Sequence, residues 1–274
     1  MLAHVRSAGG ALAYRWRHVI DLHCHVLPGI DDGPETIEGS VELARTALAA
    51  GIDTLVATPH VNSRTPNDAA TIAAALAGLR ERLAEEQVDV EVLPGAEIAM
   101  THLPELDPEQ LSLLGLGGGR WLLVEPPFAL VAPGLAGMVF ELRRKGHPVV
   151  LAHPERCPAL QRDRSVVPEL VDAGVLMSIT AGSLAGRFGG EVRRHALDLA
   201  REGLVHNVTS DAHDSVRRPP SLTEELEQAG LAPLTDWLTQ LVPAAILADE
   251  EIPPRPAVAR DGAPRGRRAW RLRR

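Results

Sequence analysis

"DLHCHVLPGIDDGP", Asp21–Pro34, sets two histidines two residues apart with a cysteine between them, then a pair of aspartates on a glycine turn. It closes a longer apolar run, "HVIDLHCH" (18–25). On a strand, successive side chains face opposite ways, so Asp21, His23 and His25 share one face and Cys24 takes the other. Alone, the stretch fits a catalytic thiol, a metal site or an ordinary buried strand end. Six more runs share its form: "IDTLVATPH" (52–60), "VDVEVLPGAEI" (88–98), "RWLLVEPP" (120–127), "HPVVLAHPER" (147–156), "GVLMSITAGS" (174–183) and "HNVTSDAH" (206–213). Each is continuous and rich in Val, Ile and Leu, as in strands buried on both faces, and each ends on polar residues. Amphipathic stretches lie between them. "PETIEGSVELARTALAAG" (34–51) opens on Pro34 and Glu35 and stops at Gly51, and "NDAATIAAALAGLRERLAEEQ" (67–87) and "GEVRRHALDLAREG" (190–203) read as helices too.

Strands alternating with helices imply an α/β fold with a parallel sheet. Polar residues close nearly every run, where an open sheet would concentrate them at one switch point. A closed barrel brings the C-terminal strand ends to one mouth, so the pattern predicts a β/α barrel of about seven strands. No Gly-, Pro- or Ser-rich linker divides residues 19 to 250, which predicts a single domain. Residues 1–18 read as an N-terminal extension without a signal-peptide h-region, and 251–274, rich in Pro and Arg, as a disordered tail.

The 274-residue chain is 45% hydrophobic and 23% charged, ordinary for a soluble globular protein. A formal charge of −8 and 3% aromatic residues argue against a nucleic-acid surface and against base stacking. Two cysteines cannot build a disulfide framework and suit a reducing, cytoplasmic compartment. No apolar run approaches the ~20 residues of a membrane span, so membrane contact is left only to the basic tail. Arginine has almost wholly replaced lysine, with Lys145 the single exception, which reads as genome composition.

If the barrel holds, its mouth collects His23, His25, His60, His153 and His213 with Asp32, Glu97, Glu125 and Asp211. Burying four carboxylates without counter-charge is prohibitive, and divalent cations are the natural remedy. Mixed nitrogen and oxygen donors without thiolate suit manganese, iron or zinc. Three such ions would bring +6 against −4, a site that attracts phosphate and activates water. Arg156 in "HPER" and Arg218 in "SDAHDSVRR" offer planar forks that match phosphate oxygens, although either alone could be a surface ion pair. A cysteine phosphatase needs arginine six positions after its nucleophile. Those positions hold Ile30 after Cys24 and Asp163 after Cys157, so neither thiol qualifies.

"DLHCH", "ATPH", "GAEI", "LVEPP", "AHPER", "ITAGSLAGRFGG" and "SDAHDSVRRPPSL" together resemble the polymerase-and-histidinol-phosphatase (PHP) superfamily, and within it the bacterial CpsB/CapC protein-tyrosine phosphatases of capsule and exopolysaccharide systems. The likeness spans about residues 19 to 225. It implies a distorted seven-stranded barrel of PHP type with three metal ions at its C-terminal mouth, usually manganese. Carried over, His23, His25 and Asp211 hold one ion with Glu97 shared, Asp32, His60 and His213 a second, and Glu97, Glu125 and His153 the third. A metal-bound hydroxide then attacks phosphorus while Arg156 and Arg218 hold the phosphoryl group, and the substrate is a phosphorylated bacterial tyrosine kinase. Val61, Cys157 and Asp214 stand where relatives often carry histidine, tyrosine and asparagine, which bears on substrate preference more than on metal binding. Asp31 is expected to support the turn, Asp21 to hydrogen-bond near the first ligands, and "ITAGSLAGRFGG" to shape the mouth. A small-molecule phosphatase, such as one for histidinol phosphate, and a non-enzymatic regulatory barrel are the alternatives.

Overall fold

Each of the seven apolar runs forms strand, and two of them form two strands apiece. The computed structural model describes residues 19–257. Its strands are β1 (Val19–Cys24), β2 (Ile52–Ala57), β3 (His60–Val61), β4 (Glu91–Leu93), β5 (Glu97–Ala99), β6 (Leu122–Glu125), β7 (Val149–Ala152), β8 (Leu176–Thr180) and β9 (Asn207–Thr209). The second run breaks at Thr58–Pro59 and the third at Pro94–Gly95. Proline cannot donate to a ladder, so a strand pauses there. The result is two parallel sheets, β1-β2-β4 and β3-β5-β6-β7-β8-β9.

The breaks also pass the chain from one sheet to the other. β2 pairs with β1 and β4, whereas its continuation β3 pairs with β5, the continuation of β4. At the other margin the residues after β9 meet the end of β1. Asp211 N donates to His23 O and His25 N to Ala212 O, each at 2.9 Å, and Cys24 bridges in parallel to Ala212. First and last strands are thus joined at the end where the site residues lie.

The apolar residues between these ends are fully buried and form one connected cluster that includes Leu22, Leu55, Ile98, Leu123, Leu151, Ile179 and Val208. Each such side chain contributes roughly 1.5–3 kcal/mol by leaving water. Helices fill the connections. Ile37–Ala49 starts later than Pro34, because Thr36 Oγ1 accepts Gly39 N at 3.2 Å and fixes the first turn there. Ala69–Glu85 is capped by Asp68, which accepts Thr71 N at 2.7 Å, and Gly190–Glu202 ends at Gly203 with φ 83°.

The tail expected from residue 251 is packed at its start. Pro253 O accepts Trp237 Nε1 at 3.0 Å, and Arg255 donates to Ala200 O at 2.9 Å. Two hydrogen bonds and a buried indole edge hold what composition alone marks as loose. The expected N-terminal extension and residues 258–274 lie outside the described residues. No helix among those described is long and apolar enough to cross a membrane.

Candidate active site

Every expected ligand and both arginines come together at the strand ends. Glu97, at the start of β5, is the centre. Its Oε1 accepts His153 Nε2 at 2.8 Å. Its Oε2 lies 3.0 Å from His60 Nδ1, 3.3 Å from His23 Nε2 and 3.4 Å from His25 Nε2. Yet Glu97 Oε2 is buried and has no hydrogen-bond partner among the described residues. An anionic oxygen surrounded by imidazole nitrogens without hydrogen-bond geometry is a donor set suited to a cation. Asp211 Oδ1 sits 3.5 Å from both His23 Nε2 and His25 Nε2. Asp32 Oδ1 lies 3.2 Å from His213 Nε2 and 3.4 Å from His60 Nε2. Glu125 Oε1 is 3.8 Å from His153 Nε2.

Three groups of donor atoms are each compact enough for one ion: His23, His25 and Glu97; His25, Asp32, His60 and His213; and His60, Glu97 and Glu125. They depart from the sets the resemblance implies. His60 stands in place of His153 with Glu97 and Glu125. Neither His153 nor Asp211 belongs to any of the three groups, although His153 pairs with Glu97 and Asp211 lies 3.5 Å from His23 and His25. His60 falls beside Glu97 as well as beside Asp32, and His25 belongs to two groups. The residues present therefore fit a cluster of divalent ions.

A carboxylate and a backbone carbonyl orient two of the rings. His25 Nδ1 meets Asp31 Oδ2 at 2.7 Å and His213 Nδ1 meets the Asp211 carbonyl at 3.1 Å. With the proton on Nδ1, each Nε2 lone pair turns into the cluster. Asp31 also accepts Gly33 N at 2.9 Å, in its own turn, and His60 N at 3.1 Å, which ties a second ligand segment to the first. Gly33 is required by space, since a Cβ there would stand 2.4 Å from His25 O. Asp21 accepts His23 N at 3.2 Å, Ser210 N at 3.1 Å and the Ser210 hydroxyl, pinning β1 to β9 below the ligands. His153 and Asp211 adopt left-handed backbone, with φ 31° and 51°. Such strain in non-glycine residues persists where the surroundings over-determine it, and it gathers at functional sites.

Charge in the recess is unbalanced. Burial and the adjacent Glu97 carboxylate push Glu125 up to about 7. Burial opposes a charge on His25, but Asp211, Asp31 and Glu97 outweigh it and raise its pKa well above the usual imidazole value. An imidazole so placed attracts a divalent cation for the same reason it attracts a proton.

Arg156 and Arg218 share one partner. Both guanidiniums pair with Asp211 Oδ2, Arg218 at 2.6 Å. They close one side of a recess of about 190 Å³ whose other walls are Asp32, His60, Glu97 and Glu125. Two phenylalanines back them. The Arg156 guanidinium lies 4.4 Å from the Phe188 ring and 5.2 Å from that of Phe128. Sequence reasoning missed both rings, although Phe is so rare here, three in the chain, that "PPF" directly after Glu125 was a signal. It also missed Glu155. Its fully buried carboxylate accepts Thr180 N at 3.0 Å and Ser183 Oγ at 2.6 Å, which anchors "HPER" to "ITAGS".

Cys24 is buried in the core and faces away from the recess. Burial, then the Asp21, Asp211 and Asp31 carboxylates, push its thiol well up, the opposite of an activated nucleophile.

A parallel α/β scaffold with a histidine–carboxylate cluster and paired arginines at its strand ends defines a metal-dependent hydrolase class. The chain belongs to the CpsB/CapC family of capsular polysaccharide synthesis, whose profile matches residues 19–230. It is 39% identical over 197 residues to the tyrosine-protein phosphatase YwqE of Bacillus subtilis (strain 168), covering 72% of this chain and 78% of that one. It is 31% identical over 202 residues to the putative tyrosine-protein phosphatase CapC of Staphylococcus aureus, covering 73% and 79%. Among solved structures it is similar, with a TM-score of 0.76 and 34% identity over 87% of this chain and 99% of the other, to one from a study of YwqE from Bacillus subtilis and CpsB from Streptococcus pneumoniae, described there as unique metal-dependent tyrosine phosphatases.

Proposed function

We propose that this chain is a metal-dependent protein-tyrosine phosphatase acting on a phosphorylated bacterial tyrosine kinase of capsule or exopolysaccharide synthesis. The observation that carries the reading is one recess with a buried histidine–carboxylate cluster on one wall and two arginines on the other. The tyrosine-protein phosphatase names of the relatives support the substrate class. His23, His25, Asp32, His60, Glu97, Glu125, His153, Asp211 and His213 would hold three divalent ions, manganese before iron or zinc. Bound, such ions neutralise the carboxylates and supply Lewis acidity toward water and a phosphoryl oxygen.

The chain's own residues do the rest. Asp211 holds both guanidiniums against the recess wall, where their N–H groups can turn to the phosphoryl oxygens and stabilise the charge that develops on them. Phe188 backs the Arg156 plane, and Glu155 fixes the loop that carries it. Asp31 and the Asp211 carbonyl keep His25 and His213 in the tautomer that presents Nε2.

We read residues 19–250 as one phosphatase domain and its scaffold as a distorted seven-stave barrel of PHP type. That reading is supported by the handover of β2 and β4 to β3 and β5 and by the pairing of β1 with the end of β9. Both cysteines are buried and unpaired, in keeping with a cytoplasmic setting.

Elemental analysis paired with a substrate panel tests the proposal. Manganese-loaded protein should cleave a phosphotyrosine peptide, lose that activity to a chelator and regain it with metal. Activity in metal-free protein sinks the metal role. A ten-fold preference for histidinol phosphate, ~1.4 kcal/mol, moves the chain to the small-molecule branch.

A further inference from the structure

Phe128 stands at the lip of the recess in an arrangement that packing does not call for. Its ring stacks on the His153 imidazole, 5.5 Å between centroids and 25° between planes. The Arg156 guanidinium lies 5.2 Å from it. Even so it is 54% exposed. Phe188, on the other side of Arg156, is half-buried and closer, 4.4 Å, so it suffices to support the guanidinium. The outer ring thus leaves much apolar surface in water at a site otherwise lined with charge, a cost that covering by a ligand would reverse.

The same ring borders two spaces. One is the recess with the arginines. The other is a groove of about 360 Å³ that runs past Pro127, Met100, Asn62 and Arg64. The ions that would draw in a phosphoryl oxygen would be held deep, since their proposed ligands Glu97, His153 and Asp211 are each at most 3% exposed. Phe128, with Glu125, lines both the recess and the groove, so an ester held in one and extending into the other runs beside its ring.

Resting on the phosphatase reading above, we propose that Phe128 is the specificity residue for aryl phosphates. Its ring packs against the phenyl ring of a phosphotyrosine whose phosphoryl group lies between Arg156 and Arg218, and the adjoining groove takes the peptide on one side. Aromatic pairs favour offset or edge-to-face contacts at separations that a lip-mounted ring can adopt. An alkyl ester such as phosphoserine offers a single methylene at that height and gains nothing from the ring.

The test reads binding and turnover separately. Calorimetry on metal-loaded protein compares phenylphosphonate with methylphosphonate, and kcat/KM compares a phosphotyrosine peptide with its phosphoserine counterpart. Phe128→Ala should lower the aryl-over-alkyl preference in both pairs by about three- to ten-fold, the scale of one aromatic pair. Phe128→Tyr should restore it and Phe128→Leu should restore it only in part. An equal loss on aryl and alkyl ligands would make Phe128 a mere prop for Arg156 and overturn the proposal, as would an unchanged ratio. Wild-type protein that binds neither phosphonate and cleaves no aryl phosphate would instead overturn the phosphatase reading itself, and this one with it.

Discussion

The segment from His25 to Gly33 and the segment from His153 to Arg156 each carry site residues out of a strand. Each is tied down by one buried carboxylate outside the expected ligand set. Asp31 accepts from His25, Gly33 and His60; Glu155 accepts from Thr180 and Ser183. The two differ in the charge of their partners. Burial would raise the Asp31 pKa, but the hydrogen bond and charge of His25 outweigh it and bring it down. Glu155 has only neutral donors at hydrogen-bond range, so burial prevails and its pKa goes up. Both side chains are withdrawn from water, yet one carboxyl is shifted toward its anion and the other toward its proton. Partners, not depth, set the charge.

Arg156 sets the scale, because it is the residue the second segment exists to present. Arg156→Ala should cut kcat on phosphotyrosine peptide ~10²–10³-fold, the usual loss of a charged donor to a transition-state oxygen. A loss under ten-fold would leave Arg156 without its role on the phosphoryl group. Asp31→Ala should cost less, ~10–100-fold in activity or metal affinity, by releasing the His25 ring and the His60 backbone together. Elemental analysis of the purified variant should show fewer ions per chain. Full metal content with normal turnover would break the contrast between the two anchors.

The smallest effect is expected at Glu155. Gln retains an acceptor for Thr180 and Ser183 and carries no charge, so turnover should stay within about five-fold, the scale of one neutral hydrogen bond. Its signature lies in pH. A carboxyl whose pKa is raised on folding gives stability that is complete below about 4.5, its unfolded value, and is lost as pH rises through the folded one. Denaturant midpoints measured from pH 4.5 to 8 should fall with pH more steeply in wild type than in Glu155→Gln. Asp31→Asn should act in a different window, because a depressed pKa gives stability that is complete above about 3.8 and lost as pH falls below it. Midpoints followed below about pH 4 should therefore fall less steeply in that variant than in wild type. Profiles that match wild type in both variants would mean that folding shifts neither carboxylate.

The ligands were legible because each closes an apolar run, and period-two alternation fixes its side of the strand. His23, His60, Glu97 and Glu125 follow that rule inside their strands, whereas His153 and Asp211 stand just past theirs in left-handed backbone and Asp32 in a turn. The proline breaks that hand β2 to β3 and β4 to β5 were visible as letters, but their effect depends on which neighbour each fragment meets. The anchors were harder to read. Asp31 could be placed in a turn from "GIDDGP", but nothing local links it to His60. Glu155 reaches Ser183 across 28 residues, a contact that no periodicity encodes. Phe128 and Phe188 lie in loops, where hydrophobic patterning carries no instruction. Thr36 is a simpler miss: Pro34 looked like a first helical residue, and the hydroxyl two positions on was the stronger cap.

The bridge between Cys24 and Ala212 joins residues 188 positions apart. During synthesis, His23 and His25 leave the ribosome long before Asp211 and His213. Until the last strand arrives, the first histidines have neither their final carboxylate nor the carbonyl and amide that fix their backbone. A chain cut short before that point carries an incomplete cluster, lacks Arg218 and leaves Arg156 without its Asp211 partner. Activity is thereby tied to synthesis through Arg218, and a nascent enzyme stays silent until the last site segment has emerged.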